Sequence, residues 1–238
     1  MSESFDPAGD WPADPADRAA VWRYLCRYLG GLGSSIAPED GCPADELDAA
    51  ERRLGLPLPA ALREFYGLLG RRTDVTSAQD TLLPPDGLHV DEHGGLLVFR
   101  EENQDTARWG VAVDQLAAAD PPVLLQHELS AGNEDFLPSV SLAAVELVLS
   151  ESLFGPAGVV DNRYLDADDI ELVERYCRRL PMPEYPVWAV PGSAVRWFTA
   201  PDLVVRDDGR SWLWVRARTP AALAALREAV PGEWMGAD

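Results

Sequence analysis

The sequence predicts one α+β domain in which an antiparallel sheet of about six strands packs against several helices. Apolar residues recur at helical spacing near both ends and in the middle, and short apolar runs separated by turn residues lie between them. No repeat, low-complexity block or linker divides the chain. Helices, a meander, helices again, then strands and a last helix is an α+β order, with none of the alternation of βαβ units. At 238 residues, 47% of them hydrophobic and 25% charged, the chain can bury a real core.

Residues 1–14 read as a loose acidic tail, 15–230 as the domain and 231–238 as a C-terminal tail. Asp14-Pro15 starts a helix, with Asp as cap and Pro in the first turn. Val21, Leu25, Tyr28 and Leu32 form its stripe, and Gly30, Gly31 and Gly33 end it. Pro43 opens a second helix with Asp45 and Glu46 in its first turn, where acids suit the helix dipole. Leu47, Ala50 and Leu54 share a face before Gly55 stops it. Pro59 opens a third, with Leu62, Phe65, Tyr66 and Leu69 as its stripe, ending at Gly70. The link "LPLP" between these two helices allows only a tight corner.

Periodicity then changes. Residues 96–99, 109–113, 123–126 and 136–140 read as strands of a meander. Ser141 precedes a helix carrying Leu142, Val145, Leu149 and Leu153. Another helix begins at Asp166, with Ile170, Val173, Cys177 and Leu180 facing inward. Strands follow at 187–190, 195–199 and 203–206. The last turns through Asp207-Asp208-Gly209 into "SWLWVRA", where Trp212 and Trp214 alternate with Leu213 and Val215. Thr219-Pro220 caps a final helix through Leu223, Leu226 and Val230.

Charge narrows the function. There are 20 basic and 40 acidic residues, a formal net charge of −20, and every basic residue is Arg. No Arg occurs between Trp109 and Asn162, a stretch rich in Asp and Glu. Such a chain repels phosphate backbones, so nucleic acid is excluded as a partner. It attracts basic protein surfaces. No apolar run approaches the ~18 residues that span a bilayer. The first residues lack the features of a secretory signal, so a cytoplasmic location with no membrane contact is expected. Three widely spaced cysteines without CxxC read as free thiols, with Cys26 and Cys177 on inward helix stripes.

No catalytic constellation is found, so the chain reads as no enzyme, with no cofactor and no metal. His89 and His93 are spaced i, i+4, but Val follows His89 and Gly94-Gly95 would break a helix, against the zincin pattern. "GPAGVV" at 155 has no Lys or Ser/Thr to complete a phosphate loop and reads as a loop. In "GGLLVFREENQDTARWGV", the run Glu101-Glu102-Asn103-Gln104-Asp105 lies between two strand-like segments. Asn and Asp suit turns. Catalytic carboxylates need separated environments that one turn rarely supplies. The run reads as a hairpin tip, with Trp109 in the core and Gly110 permitting a close approach or bulge.

An ordered set of weak motifs then resembles the SUKH superfamily, which includes fungal cell-wall-synthesis regulators and many bacterial proteins. Its Glu-x-x-Leu-Gly…Leu-Pro…Phe/Tyr pattern is matched by Glu51, Leu54, Gly55, Leu58, Pro59, Phe65 and Tyr66. Its Glu-Asn-Gln followed by Trp-Gly is matched by Glu102, Asn103, Gln104, Trp109 and Gly110. "WFTAPDLVVRDDGRSWLWVRARTPAAL" is similar to the family's closing hairpin and helix, so the resemblance covers 15–230. It departs at Arg71-Arg72, where Asn-Gly is common, and residues 71–93 form an idiosyncratic loop. The resemblance implies a non-enzymatic protein binder. In bacteria that is frequently an immunity protein neutralising a nuclease or deaminase toxin; the alternative is a regulatory or scaffold module with an endogenous protein partner. Taken with the acidic charge, it implies a basic toxin domain as partner. The candidate contacts are Glu101, Glu102 and Asp105 on one hairpin and Asp207 and Asp208 on another.

Overall fold

The first helix, α1 (Arg18–Gly31), starts three residues later than Asp14-Pro15 suggests in the computed structural model, which describes residues 6–130, 132–155, 159–166, 169–190 and 193–236. Asp14 instead closes a turn on the Ala16 amide at 2.9 Å, and Asp17 caps the helix by accepting from Ala19 at 3.0 Å. Residues 6–14 are not loose: Pro7 and Pro12 are buried, and Trp11 sets its ring 5.0 Å from that of Tyr24. The buried stripe of α1 is Val21, Tyr24, Leu25, Tyr28 and Leu29. Cys26, one position past Leu25, turns outward and is exposed, contrary to its expected place on the stripe.

Pro43 and Pro59 stand immediately before α2 (Ala44–Leu54) and α3 (Ala60–Leu69). Gly55 ends α2 at φ 69°, a left-handed conformation that costs glycine little. The "LPLP" corner is clasped by Glu51, whose carboxylate accepts the Leu58 amide at 2.7 Å and pairs with Arg63 at 2.9 Å. Tyr66 donates its buried hydroxyl to the Leu83 carbonyl at 2.6 Å. Residues 71–93, expected as a loop, contain α4 (Thr73–Thr76), β1 (Thr81–Leu82) and β2 (His89–Val90). Both strands are two residues long, too short for a periodic signal, and exist because β3 (Leu96–Glu101) pairs with them.

The first sheet continues through β4 (Ala107–Ala112), β5 (Val123–His127) and β6 (Glu134–Leu137), in the order β1-β3-β4-β5-β6 with β2 also on β3. All its pairings are antiparallel. A Cβ on Gly110 would stand 2.5 Å from the Leu97 carbonyl oxygen, and the β3–β4 register shifts between Val98 and Arg100. The close approach expected at this glycine is therefore real, and the bulge lies on the partner strand.

Ser139, not Ser141, caps α5 (Val140–Ser152), and all thirteen residues of that helix are buried. Leu142, Val145 and Leu149 pack in the core as expected, but Glu146, Ser150, Glu151 and Ser152 are buried too. A helix enclosed on every side needs internal partners for those groups.

The second sheet holds β7 (Val159–Tyr164), β8 (Arg178–Arg179), β9 (Tyr185–Pro186), β10 (Ala194–Ala200), β11 (Leu203–Asp208) and β12 (Trp212–Ala217). Its order is β7-β12-β11-β10-β8 with β9 also on β10. The expected strand at 187–190 is absent: β9 lies just before it, and 188–190 form a turn. Of "GPAGVV", residues 156–158 lie outside the described ones, while Val159 and Val160 open β7. This edge strand escaped notice because its pattern is inverted. Asp161 and Arg163 point inward, to Arg227 and to Asp169, and Val160 and Tyr164 point out. Inward charge is one way an edge strand resists further pairing.

α6 (Asp169–Tyr176) and α7 (Pro220–Ala229) cover one face of this sheet. The start expected at Asp166 falls next to residues 167–168, outside the described ones. Cys177 and Leu180 are buried, but beyond the end of α6 rather than on it. Residues 231–236 are not a free tail. Trp234 is buried in the same cluster, and the Met235 amide donates to the Asn162 carbonyl at the outer edge of β7. The whole is α+β, with the expected antiparallel sheet of about six strands present twice. Among the described residues no helix is long and apolar enough to cross a membrane.

Candidate functional site

The five acids expected to meet a partner separate into two kinds. Glu101, at the end of β3, is partly exposed and lies 3.7 Å from His89 and 3.8 Å from Arg108. Asp105, at the hairpin tip with φ 60°, is 67% exposed and holds Arg108 at 2.6 Å. These two can reach a partner. Glu102 cannot: it is buried, and one carboxylate oxygen accepts from the Gln104 amide at 2.7 Å and the Thr106 hydroxyl at 2.8 Å. It shapes the turn from inside.

The second hairpin is a clearer correction. Asp207 and Asp208 lie in β11 rather than in its turn, and Asp207 is 0% exposed. Arg196 donates to it at 2.5 and 2.8 Å, and the Arg210 amide at 2.8 Å. Burial raises the Asp207 carboxyl above the usual carboxylate range, and Arg196 opposes that. Asp208 is bound by Arg206 at 2.6 Å and by the Trp214 indole at 3.0 Å. Both acids hold the second sheet together. An Asp-Asp-Gly string reads as a turn, but only the location of Arg196 on the facing strand shows that the first acid points inward.

Of the motif positions, Trp109 is core as expected, 4% exposed and packed on Phe136 with centroids 6.0 Å apart. Leu54 is half-buried, and Phe65 and Tyr66 are fully buried. The histidines do not converge. His89 sits in β2 with Nδ1 3.3 Å from the Gly87 carbonyl, whereas His93 is largely exposed in the next turn. His127 is buried at the end of β5. Among the described residues no group of His, Cys, Asp and Glu is placed to hold a metal ion. Burial pushes the Cys177 thiol up to about 12.

Two surface features were not read from the sequence. One is a groove of about 490 Å³ at the end of the first sheet, between the β3–β4 hairpin, the turn at 91–95 and the β5–β6 turn. Asp91 braces it from below: Oδ1 accepts the Gly95 and Leu96 amides at 2.8 Å each, and Gln126 donates to Oδ2 at 3.3 Å. Burial opposes ionisation of Asp91, but those amide bonds outweigh it and hold the carboxyl below the usual range. His127 lines the same groove with Nε2 3.3 Å from Glu134, and its buried Nδ1 has no hydrogen-bond partner among the described residues.

The other is a row of four rings, Tyr164, Trp212, Trp214 and Phe154, with successive centroids 4.0, 5.6 and 5.0 Å apart. Tyr164 is 66% exposed at one end of the row. The register sets Tyr164 opposite Trp212 on adjacent strands, which no string of neighbours in sequence could reveal.

No family model matches the chain, and neither a curated protein nor a solved structure matches it.

Proposed function

We propose that the protein is a non-enzymatic, cytoplasmic binder of a basic protein partner, and specifically an immunity protein that neutralises a nuclease-type toxin by stoichiometric binding. One observation carries this reading: an excess of exposed acids over basic groups at the end of the first sheet. Glu92, Asp105, Glu128 and Asp135 are exposed there, in a region bordered by the Arg-free stretch, and Arg108 is already held by Asp105. A nuclease must grip phosphates with basic residues, so an acidic surface of this kind can cover its cleft and compete with substrate. The motif resemblance to the SUKH superfamily points the same way.

The row of rings, exposed at Tyr164 and half-buried at Trp212, Trp214 and Phe154, favours a second reading, a regulatory or scaffold module that docks an endogenous partner through aromatic contact, because aromatic residues are enriched at interfaces. Purified protein, mixed in equal amounts with any toxin domain found encoded next to it, should form a one-to-one complex and abolish the toxin's activity. A neighbouring toxin that neither binds nor loses activity would overturn the immunity reading in favour of the second.

A further inference from the structure

We infer that the groove at the end of the first sheet is a receptor for a single guanidinium or ammonium side chain of the basic partner. The inference rests on the binding reading above and adds the site and the group it takes. Three independent features converge on a cationic donor.

The first is the groove itself, about 490 Å³, large enough for an arginine or lysine side chain with part of its backbone. The second is charge. Glu92 and Asp105 on its rim are 84% and 67% exposed, and Glu128 is exposed and makes no ion pair among the described residues. Asp91 beneath them stays ionised because two amides bind its carboxylate. The one guanidinium in the lining, Arg108, pairs with Asp105 at 2.6 Å, which leaves Glu92 and Glu128 as the rim carboxylates with no Arg partner among the described residues.

The third feature is His127, whose side chain is only 4% exposed. Its Nε2 faces Glu134 at 3.3 Å, so in the neutral ring the proton sits on Nε2 and Nδ1 keeps its lone pair. That Nδ1 is buried and has no hydrogen-bond partner among the described residues, and a buried acceptor without a donor is costly. Glu92, Asp105, Glu128 and the Nδ1 lone pair are all acceptors. A phosphate or a carboxylate would meet an excess of like charge, with Arg108 already paired to Asp105, whereas a guanidinium offers several donors in a fixed fork.

The test uses the full chain and a tetra-arginine peptide, with tetraglycine as the neutral probe. Amide and histidine-ring NMR shifts on adding tetra-arginine should concentrate at residues 91–95, 105–108 and 126–133 and include His127 Nδ1. Glu92→Gln/Asp105→Asn/Glu128→Gln should weaken peptide binding about tenfold or more, since each exposed pair contributes a few-fold. A variant with the same charge change elsewhere, Asp45→Asn/Glu171→Gln/Glu228→Gln, should bind as wild type does. Equal weakening in both triple variants would reduce the effect to net charge and overturn the proposal. Shifts spread over the whole surface would overturn it as well, and so would the same groove shifts with magnesium chloride alone. The toxin complex is a separate arm. If toxin is neutralised equally well by the groove variant, the groove proposal fails while the immunity reading stands. If the groove binds arginine but no toxin is neutralised, the reverse holds.

Discussion

The guanidinium of Arg100 lies 4.1 Å from the centre of the Trp109 ring, across the β3–β4 pairing. Arg100 is 3% exposed, and its other contacts are carboxylates: Asp80 at 2.6 Å, Glu146 at 2.7 Å and Glu151 at 3.8 Å. Glu146 also accepts from Ser150 at 2.6 Å and from Tyr185 at 2.9 Å, and Trp197 of β10 donates to that tyrosine at 2.8 Å. Arg206 of β11 reaches Ser150 at 3.1 Å. A connected polar network therefore runs from the first sheet through α5 to the second sheet. It answers the requirement that an all-round buried helix satisfy its polar groups, and it gives the first three predictions.

Trp109→Ala removes a buried ring and the aromatic face beneath Arg100. A loss of about 3–5 kcal/mol is expected, read as a lower melting temperature and a lower denaturant midpoint. Melting at the wild-type temperature would contradict the core assignment.

Arg100→Met keeps the side-chain volume but leaves Asp80, Glu146 and Glu151 facing one another without a cation. Removing one member of a buried ion cluster typically costs ~3–5 kcal/mol. Arg100→Lys, which keeps the charge but not the fork, should fall between this variant and wild type in chemical denaturation. Equal stability of all three proteins would show the network to be energetically idle.

The same network sets a pH dependence. Burial opposes ionisation of Glu146, but Arg100 and Arg206 outweigh it, and its pKa falls below the usual glutamate value. Its stabilising contribution is thus fully present above the unfolded-state value of ~4.3 and is lost as pH falls through the lower folded-state value. Glu151 runs the other way, because burial dominates and raises its pKa. Its ionisation therefore weakens the fold as pH rises through the usual glutamate range. Wild type should exceed Glu146→Gln in melting temperature at pH 7, and the gap should narrow below about pH 4. A gap that is constant from pH 7 to pH 3 would remove this role from Glu146.

Asp207→Ala should act on folding and not on encounter with a partner. It strips Arg196 of a buried carboxylate, leaving Glu174 at 2.9 Å as its one carboxylate partner among the described residues. A stability loss of about 2–3 kcal/mol is expected. Asp105→Asn, at an exposed tip, should leave the melting temperature within a degree or two and slow association with a basic partner at low salt. Stopped-flow binding beside thermal melts separates the two effects. A slower association with unchanged stability in Asp207→Ala would contradict the buried placement.

Gly110→Ala tests the close approach of β3 and β4. The added methyl would meet the Leu97 carbonyl, a backbone atom that cannot swing aside. A clear loss of stability is expected, of about 1–3 kcal/mol as for overpacking. Unchanged denaturation would mean that the strands separate at this point.

The helix pair at 44–69, the meander at 96–137, Trp109 in the core and the cap at Thr219-Pro220 were all legible in the chain. Each rests on local rules: proline before a helix, glycine after it, apolar residues at a fixed period, and a cap that needs only a hydroxyl near a free amide. The acidity was equally plain, because net charge adds up without regard to structure.

Tertiary structure decided which polar groups face outward. Glu102 and Asp105 stand three residues apart in one hairpin, yet the first is enclosed by turn amides and the second is exposed. Asp207 is enclosed because Arg196 lies across from it, and β7 carries its charges inward because Arg227 and Asp169 wait there. The Tyr164–Trp212 contact and the groove around His127 depend on strand register and on turns distant in sequence. Periodicity sorts apolar residues by face, but whether a carboxylate is buried depends on a counter-charge whose position is set by pairings between remote segments, and no local pattern carries that information.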